Sequence, residues 1–323
     1  MNQLAIVIPA YKPDYLAEAL ESLAAQSDQR FAVYIGDDAS LHPLEALIDA
    51  FRPRLDLHYV RFEQNLGSTN LVAQWTRCIA LSREPWVWLF SDDDLAAPDC
   101  VEAFYSFLKS AAQDYKLVRF QTDIIDGESN LIRHTRAYPS RLPAYDFALG
   151  RLQFHWSSFA VEYIFLRQAW TLCGGFVAFP AGWCADDASW IQLANGNGIL
   201  TLPAGRVQWR QSGRNISAGQ SPHTAQKTEA MLMYMDWLID HFHQESPQNK
   251  TTLKAAFHQW FFKLFGTMNP LLGLAGMLRL DNALKKSLTS SPLLVFTSLL
   301  KNEYFAVRTS LKGFLFRIAG KSA

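Results

Sequence analysis

Short apolar runs alternate with amphipathic stretches along the first 122 residues, and polar residues gather where one gives way to the other. The run Leu4–Ile8 predicts a buried strand, ended by Pro9, Tyr11 and Pro13. Beyond Asp14, a residue suited to cap a helix, Leu16, Leu20 and Leu23 share one face of a helix running to about Gln26. Further strands are predicted at 31–36, 57–62, 86–90 and 116–121. Helical stretches separate them near 43–51, 69–82 and 98–112, the second with Leu71, Val72, Trp75 and Ile79 at helical spacing. Strands alternating with helices of this length predict an α/β fold, with a mostly parallel central sheet flanked by helices. From about 125 to 205 the pattern loosens and Arg, Tyr, Pro, Gly and Trp become frequent, as in loops and short strands that shape a binding surface. After Pro222 helical spacing takes over near 224–244, 250–267, 270–288 and 292–318.

A chain of 323 residues with 49% hydrophobic content can bury one large core with an appendage, or two cores. The divide is placed near 220: a catalytic-type domain over 1–220, with halves at about 1–122 and 123–220, and a helical region over 221–323. The formal net charge is zero, but residues 250–323 hold eleven Lys or Arg against two acids, so an acidic body precedes a basic tail. The four cysteines have no paired spacing and read as reduced, mostly buried thiols of a cytosolic protein. The N-terminus lacks the basic region of a signal peptide, and no apolar run reaches the roughly 20 residues of a membrane-spanning helix.

Acidic residues mark the strand ends. Asp37 and Asp38 follow the second strand, Asp92–Asp94 the fourth, Asp123 the fifth, and Asp186 and Asp187 open a later helical segment. The carboxyl ends of strands are where an open α/β sheet builds its ligand crevice. Three adjacent acids repel one another unless a cation neutralises them, and Mg²⁺ or Mn²⁺ commonly takes one or two carboxylates together with substrate phosphates. Placement at a helix start would also favour acids there, through the helix dipole. Asp38 suits a base N–H or a ribose hydroxyl, and equally an Asx turn. Asn65 and Gly67 lie in a turn after the third strand. Asp186 or Asp187 can serve as a general base or as a helix cap. Arg210 and Arg214, in a polar Gly-containing loop, have the forks that suit phosphate oxygens, though a solvated loop fits the same residues.

Taken in order, these segments resemble the family 2 glycosyltransferases of the GT-A fold. Residues Pro9, Ala10 and Tyr11 look like the family's opening motif, with Lys12 where Asn is usual. Gly36–Ser40 is similar to its V-D-D-G-S turn, with Ala39 in place of Gly. Asn65–Gly67 matches the N-x-G step, and Leu89–Asp94 followed by Pro98 the D-x-D region, with Ser91 replacing an Asp. Gly174–Phe176 and then Asp186–Asp187 match the acceptor-side signature, and Ser212 stands where several members have His. The resemblance covers about residues 1–220. It implies an inverting enzyme that moves a hexosyl or N-acetylhexosaminyl unit from a nucleotide sugar, UDP-linked by preference, to a glycan or lipid-linked hydroxyl in surface polysaccharide biosynthesis. Pro9, Tyr11, Asp38, Asn65, Gly67, Asp92, Asp93, Arg210 and Arg214 are then expected at the donor. Gly175, Trp183 and Asp186 are expected at the acceptor, Asp92, Asp93 and Asp94 at Mn²⁺ or Mg²⁺, and Asp187 as the catalytic base.

Aromatic residues interleave the basic charges of the tail, among them Phe257, Trp260, Phe261, Tyr304 and Phe316. Such a segment suits an anionic membrane surface, which predicts peripheral attachment at the cytoplasmic face and a polyprenol-linked acceptor. Packing on the body, or homo-oligomerisation through these helices, fits the same pattern. No nucleic-acid motif is present. Two other functions compete. A sugar nucleotidyltransferase would want a Gly-rich basic loop after the first strand, which Pro9–Pro13 is not. A non-catalytic nucleotide- or carbohydrate-binding subunit of an assembly complex has no need of Asp187 together with three metal-site acids.

Overall fold

A computed structural model of the chain describes residues 2–110, 114–213 and 224–268. Strands β1 (Leu4–Ala10), β2 (Phe31–Asp37), β3 (Leu57–Arg61) and β4 (Trp86–Leu89) pair in parallel, in the order β3-β2-β1-β4. The register sets Ala10 beside Asp37 and Val7 beside Leu89, so these strands all end at one edge. Alternation along β1 then builds two cores. Leu4, Ile6 and Ile8 face one layer with Leu16, Leu20 and Leu23 of α1 (Leu16–Ala24), while Ala5 and Val7 face Val72 and Ile79 of α3 (Leu71–Ile79). Burial on both faces explains why β1 reads as a continuous apolar run. Between β2 and β3 lies the short α2 (Glu45–Asp49).

Helix boundaries are tighter than the periodicity suggests. Helix α1 begins at Leu16, with Tyr15 and not Asp14 at its N-cap position. Helix α3 begins after Asn70, whose side-chain oxygen accepts the Ala73 N–H at 3.0 Å.

Beyond β4 the sheet becomes mixed. The two-residue β5 (Leu95–Ala96) and α4 (Cys100–Leu108) lead to β6 (Leu117–Ile125). Strand β7 (Leu131–His134) pairs with β6 and β8 (Arg141–Leu142) with β10 (Ile199–Arg210). After α5 (Ala144–Leu152), strand β9 (Tyr163–Leu166) enters antiparallel between β4 and β6. Then α6 (Arg167–Leu172) and α7 (Ala185–Leu193) precede β10, which lies parallel to β6. The parallel arrangement expected from the sequence therefore holds over the first four strands and gives way to a mixed sheet in the region of irregular spacing.

Helices α8 (Thr224–His241) and α9 (Pro247–Met268) join the core that contains Val87, Tyr163 and Trp190, contributing Met231, Tyr234, Leu238, Phe257, Trp260 and Phe261. The first aromatics of the basic tail are thus buried against the body. The helices expected at 270–288 and 292–318 lie outside the described residues. Among the described residues no helix is long and apolar enough to cross a membrane. All four cysteines are free; Cys78, Cys100 and Cys184 are buried and Cys173 partly so.

One ion pair is sealed within the sheet. Arg119 of β6 donates to Glu162, just before β9, at 2.8 Å, and both side chains are fully buried. Glu162 also accepts from the Thr122 hydroxyl and the Phe159 N–H, and the guanidinium lies over the Tyr138 ring. Removing one partner strands a buried charge. Arg119→Met is expected to lower stability by about 3–5 kcal/mol, whereas Arg119→Met combined with Glu162→Leu recovers most of the loss. Urea unfolding of the two variants measures both effects.

Candidate active site

The parallel edge brings the loops after β1, β2, β3 and β4 together, and buried carboxylates tie them to one another. Asp92, after β4, accepts the backbone N–H groups of Tyr11 (3.0 Å) and Lys12 (3.3 Å), which follow β1. Asp37 accepts from the Ser40 N–H (2.7 Å), the Tyr59 hydroxyl (2.7 Å) and Arg61 Nη1 (2.8 Å), and the Ser40 hydroxyl donates to the Tyr11 carbonyl. Asp38 receives the N–H groups of Leu66 and Gly67, each at 2.7 Å, and Nη2 of Arg77; Asn65 donates to its carbonyl. A Cβ on Gly67 would lie 2.7 Å from Asp38 Oδ2, so the loop can close on this carboxylate only with glycine there. Ala39 has φ +53°, a left-handed conformation that costs a non-glycine residue about 1 kcal/mol and accounts for glycine in the similar motif. Pro9, Tyr11, Asp38, Asn65, Gly67 and Asp92 are thus gathered at one rim. Tyr11 is 36% exposed there, while Asp38 is almost fully enclosed.

The triple acid is less well compensated. Burial raises the pKa of Asp92, and burial with repulsion from Asp92 lifts Asp93 to about 7. Burial and the neighbouring Asp93 push Asp94 well above the usual range. Asp94 Oδ1 accepts the Arg210 N–H at 2.8 Å, and its Oδ2 is buried without a hydrogen-bond partner. The three side chains do not converge: among the described residues no group of three or more His, Cys, Asp or Glu forms a metal-ligand set. A cation here would therefore use one or two of these acids and take its other ligands from phosphate and water. The orphaned Asp94 Oδ2 fits such a ligand.

Arg210 takes a different place from the one its sequence position suggested. It is fully buried, with Nε on the Asp93 carbonyl (2.7 Å), Nη2 on Glu18 (2.8 Å) and Nη1 on the Ser129 hydroxyl (2.9 Å). Its charge braces the acidic loop from beneath instead of reaching a diphosphate. Arg214 lies outside the described residues. Asp123 also differs: β6 runs past it, so it sits inside a strand, paired with Arg206 (2.7 Å) and His134 (2.8 Å).

The other side of the rim comes from α7. Gly182, at φ +66°, ends a 3-10 turn (Pro180–Gly182) where a Cβ would lie 3.1 Å from Leu71, the first residue of α3. This contact sets the start of α7 beside the loop that Asp38 holds. Asp187 is 5% exposed and gripped by Arg151 of α5, whose Nε lies 3.0 and 2.9 Å from the two carboxylate oxygens and whose Nη2 is 2.9 Å from one of them. Asp186 is half-buried; burial and the neighbouring Asp187 push it up to about 7. The Lys227 ammonium of α8 stands 4.6 Å from the centre of the half-buried Trp183 ring. Gly175, at φ +91°, donates to the Trp170 carbonyl at 2.9 Å and closes the end of α6.

Sequence reasoning missed the cations that answer these acids, Arg61, Arg77 and Arg151. Each comes from a different element and none stands in a motif. The available signal was general: a buried carboxylate needs a partner.

With this geometry in view, the relatives are informative. The sequence model of glycosyl transferase family 2 matches residues 5–171, just over half of the chain, and the chain belongs to that family. The abequosyltransferase RfbV of Salmonella typhimurium is 30% identical over 125 residues, which is 37% of this chain and 36% of that protein. The chain thus matches little more than a third of this relative. Residues 1–349 of S. aureus TarS, in complex with UDP-GlcNAc, share the fold with a TM-score of 0.64 at 15% identity, over 85% of this chain and 77% of that one. The longer S. aureus TarS gives 0.62 at 15% identity, over 86% and 47%. The fold is of the GT-A type.

The Asp123 pair has a pH signature. Burial opposes its charge, but donation from Arg206 and His134 outweighs that and holds the carboxyl below its ordinary 3.8. A depressed carboxyl stabilises the fold above about pH 4, and the contribution is lost as pH falls through the folded-state value. Arg206 is partly exposed, so the effect is screened to about 1 kcal/mol. Asp123→Asn is expected to lose correspondingly less stability than the native chain between pH 5 and pH 3, as read by urea midpoints.

Proposed function

We propose that this protein is an inverting, metal-dependent glycosyltransferase, moving a hexosyl or N-acetylhexosaminyl unit from a UDP-linked sugar to a hydroxyl of a glycan or polyprenol-linked acceptor in surface polysaccharide assembly. The observation that carries this reading is that two acidic groups sit on segments packed around the parallel edge. Asp92, with Asp93 and Asp94 after β4, holds the loop after β1, and Asp186–Asp187 open α7 just beyond Gly182, which packs against Leu71 at the start of α3. Two relatives support it: TarS was crystallised with UDP-GlcNAc, and RfbV is an abequosyltransferase.

On this reading the nucleoside lies against Tyr11 and the loop formed by Asp38, Asn65 and Gly67, and the diphosphate lies towards Asp92 and Asp93. Asp94, with Asp93, would hold Mn²⁺ or Mg²⁺, which supplies Lewis-acid neutralisation of the charge growing on the departing diphosphate. Asp187 accepts the proton of the acceptor hydroxyl. That oxygen forms its bond to the anomeric carbon as the bond to the diphosphate breaks, and the nucleoside diphosphate leaves with the electron pair. Attack from the far face inverts the centre and needs no protein nucleophile. Trp183 and Asp186 flank the acceptor. Peripheral attachment to the inner face of the cell membrane is part of the proposal and is supported by the charge of residues 250–323, eleven basic residues against two acids.

Release of nucleoside diphosphate from a panel of UDP-, GDP-, CDP- and dTDP-sugars tests the reading. Asp187→Asn is expected to lower turnover by at least about 10³-fold while donor affinity stays within about threefold; loss of donor affinity instead would refute the base assignment. For Asp94→Asn, the expected result is loss of the Mn²⁺-dependent part of UDP binding in calorimetry, about tenfold or more. Unchanged Mn²⁺ dependence would remove Asp94 from the metal site.

A further inference from the structure

The two acids that open α7 are held unequally. Asp186 is half-buried and carries its charge with difficulty, whereas Asp187 is enclosed and faces a cation. Arg151 reaches both oxygens of Asp187 through Nε and one of them again through Nη2. Its remaining nitrogen, Nη1, donates to the Trp156 carbonyl at 2.7 Å. The guanidinium plane is thereby pinned from two sides, and the Trp156 ring is itself stacked on Tyr138 with centroids 4.5 Å apart. Helix α5, which carries Arg151, packs directly on α7. A carboxylate held this way cannot swing about its last torsion. Oδ2 takes both Nε and Nη2, whereas Oδ1 takes Nε alone and retains a lone pair.

The other ionisable groups around Asp187 do not supply that charge. Asp186 and Cys184 lie on its own segment, and Tyr234 approaches from α8, with a phenol raised well above its usual value by burial and then by Asp187. Tyr138 adjoins Arg151, and Lys227 of α8 stands over the Trp183 ring. Burial opposes the charge of Arg151, but Asp187 more than restores it.

We propose that Arg151 is the positioning residue of the transfer step, orienting Asp187 so that it meets the acceptor hydroxyl in a fixed geometry. This rests on the reading of Asp187 as the proton acceptor. Arg151 lies outside every motif that marks the site and touches neither donor nor acceptor in this scheme. Its loss should therefore affect the chemical step and not donor binding. Without the guanidinium, Asp187 can rotate, and misplacing a reacting group by about 1 Å costs roughly 10²-fold in rate.

The experiment compares Arg151→Gln, Arg151→Lys and Asp187→Asn in the full chain, using the member of the nucleotide-sugar panel that the native protein consumes. For Arg151→Gln the expected result is a kcat lower by about 30- to 100-fold with a donor KM within about threefold. Arg151→Lys keeps the charge but not the fork, so its kcat should fall by only about 5- to 20-fold, a partial rescue. A folded Arg151→Gln with native kcat, beside an inactive Asp187→Asn, overturns the role of Arg151 alone. If Asp187→Asn keeps native turnover, or the native protein consumes no member of the panel, the reading beneath it fails and the positioning role goes with it. Should Arg151→Gln not fold, Arg151→Lys decides: a native kcat overturns the proposal, and the stated loss with unchanged donor KM supports it.

Discussion

A carboxylate withdrawn from water must be answered by donors or a cation, and that constraint organises this protein. Asp38 is answered by two backbone amides and Arg77, Asp37 by Tyr59 and Arg61, and Asp187 by Arg151. Each answer comes from a different stretch of chain, so each acid also clamps two loops. The loops at the parallel edge are held by the side chains that carry its negative charge.

The triple acid is the departure from this rule. Asp92 and Asp94 receive backbone amides, but burial still lifts all three acids, and one oxygen of Asp94 has no partner. Such a deficit is costly, because a buried carboxylate oxygen without a donor keeps its desolvation penalty. Arg210 limits the cost from below: its buried fork grips the Asp93 carbonyl and Glu18, and its amide reaches Asp94. The helices beyond the sheet are part of the same economy of burial. Helices α8 and α9 cover the apolar surface that α5, α7 and β9 share, and α8 brings Tyr234 and Lys227 to the neighbourhood of α7.

Much of the first half was legible in the sequence because parallel strands buried on both faces leave continuous apolar runs, and the helices between them leave a 3.6-residue rhythm. Legibility ended at β9. Its four residues, Tyr163–Leu166, sit among loops and pair antiparallel with strands on either side, a placement without periodic trace. The acids were visible because they cluster in the chain. Arg77 and Arg151 were not, since a basic residue on a helix looks the same whether it faces water or a carboxylate 36 residues or more away. Arg210 was visible but misread, for a fork that suits phosphate also suits carbonyls and a glutamate, and only its enclosure distinguishes the two.

By itself the sequence determined the alternation of strands and helices, the identity of the acids and their place at strand ends, because these follow from local periodicity and from residues adjacent in the chain. Tertiary structure decided which acids share a rim, which cation meets each of them, and that the first aromatics of the tail turn inward. The physical reason is distance along the chain. Pairing and burial are settled by contacts between segments tens of residues apart, and no local pattern records where the sheet will bring them.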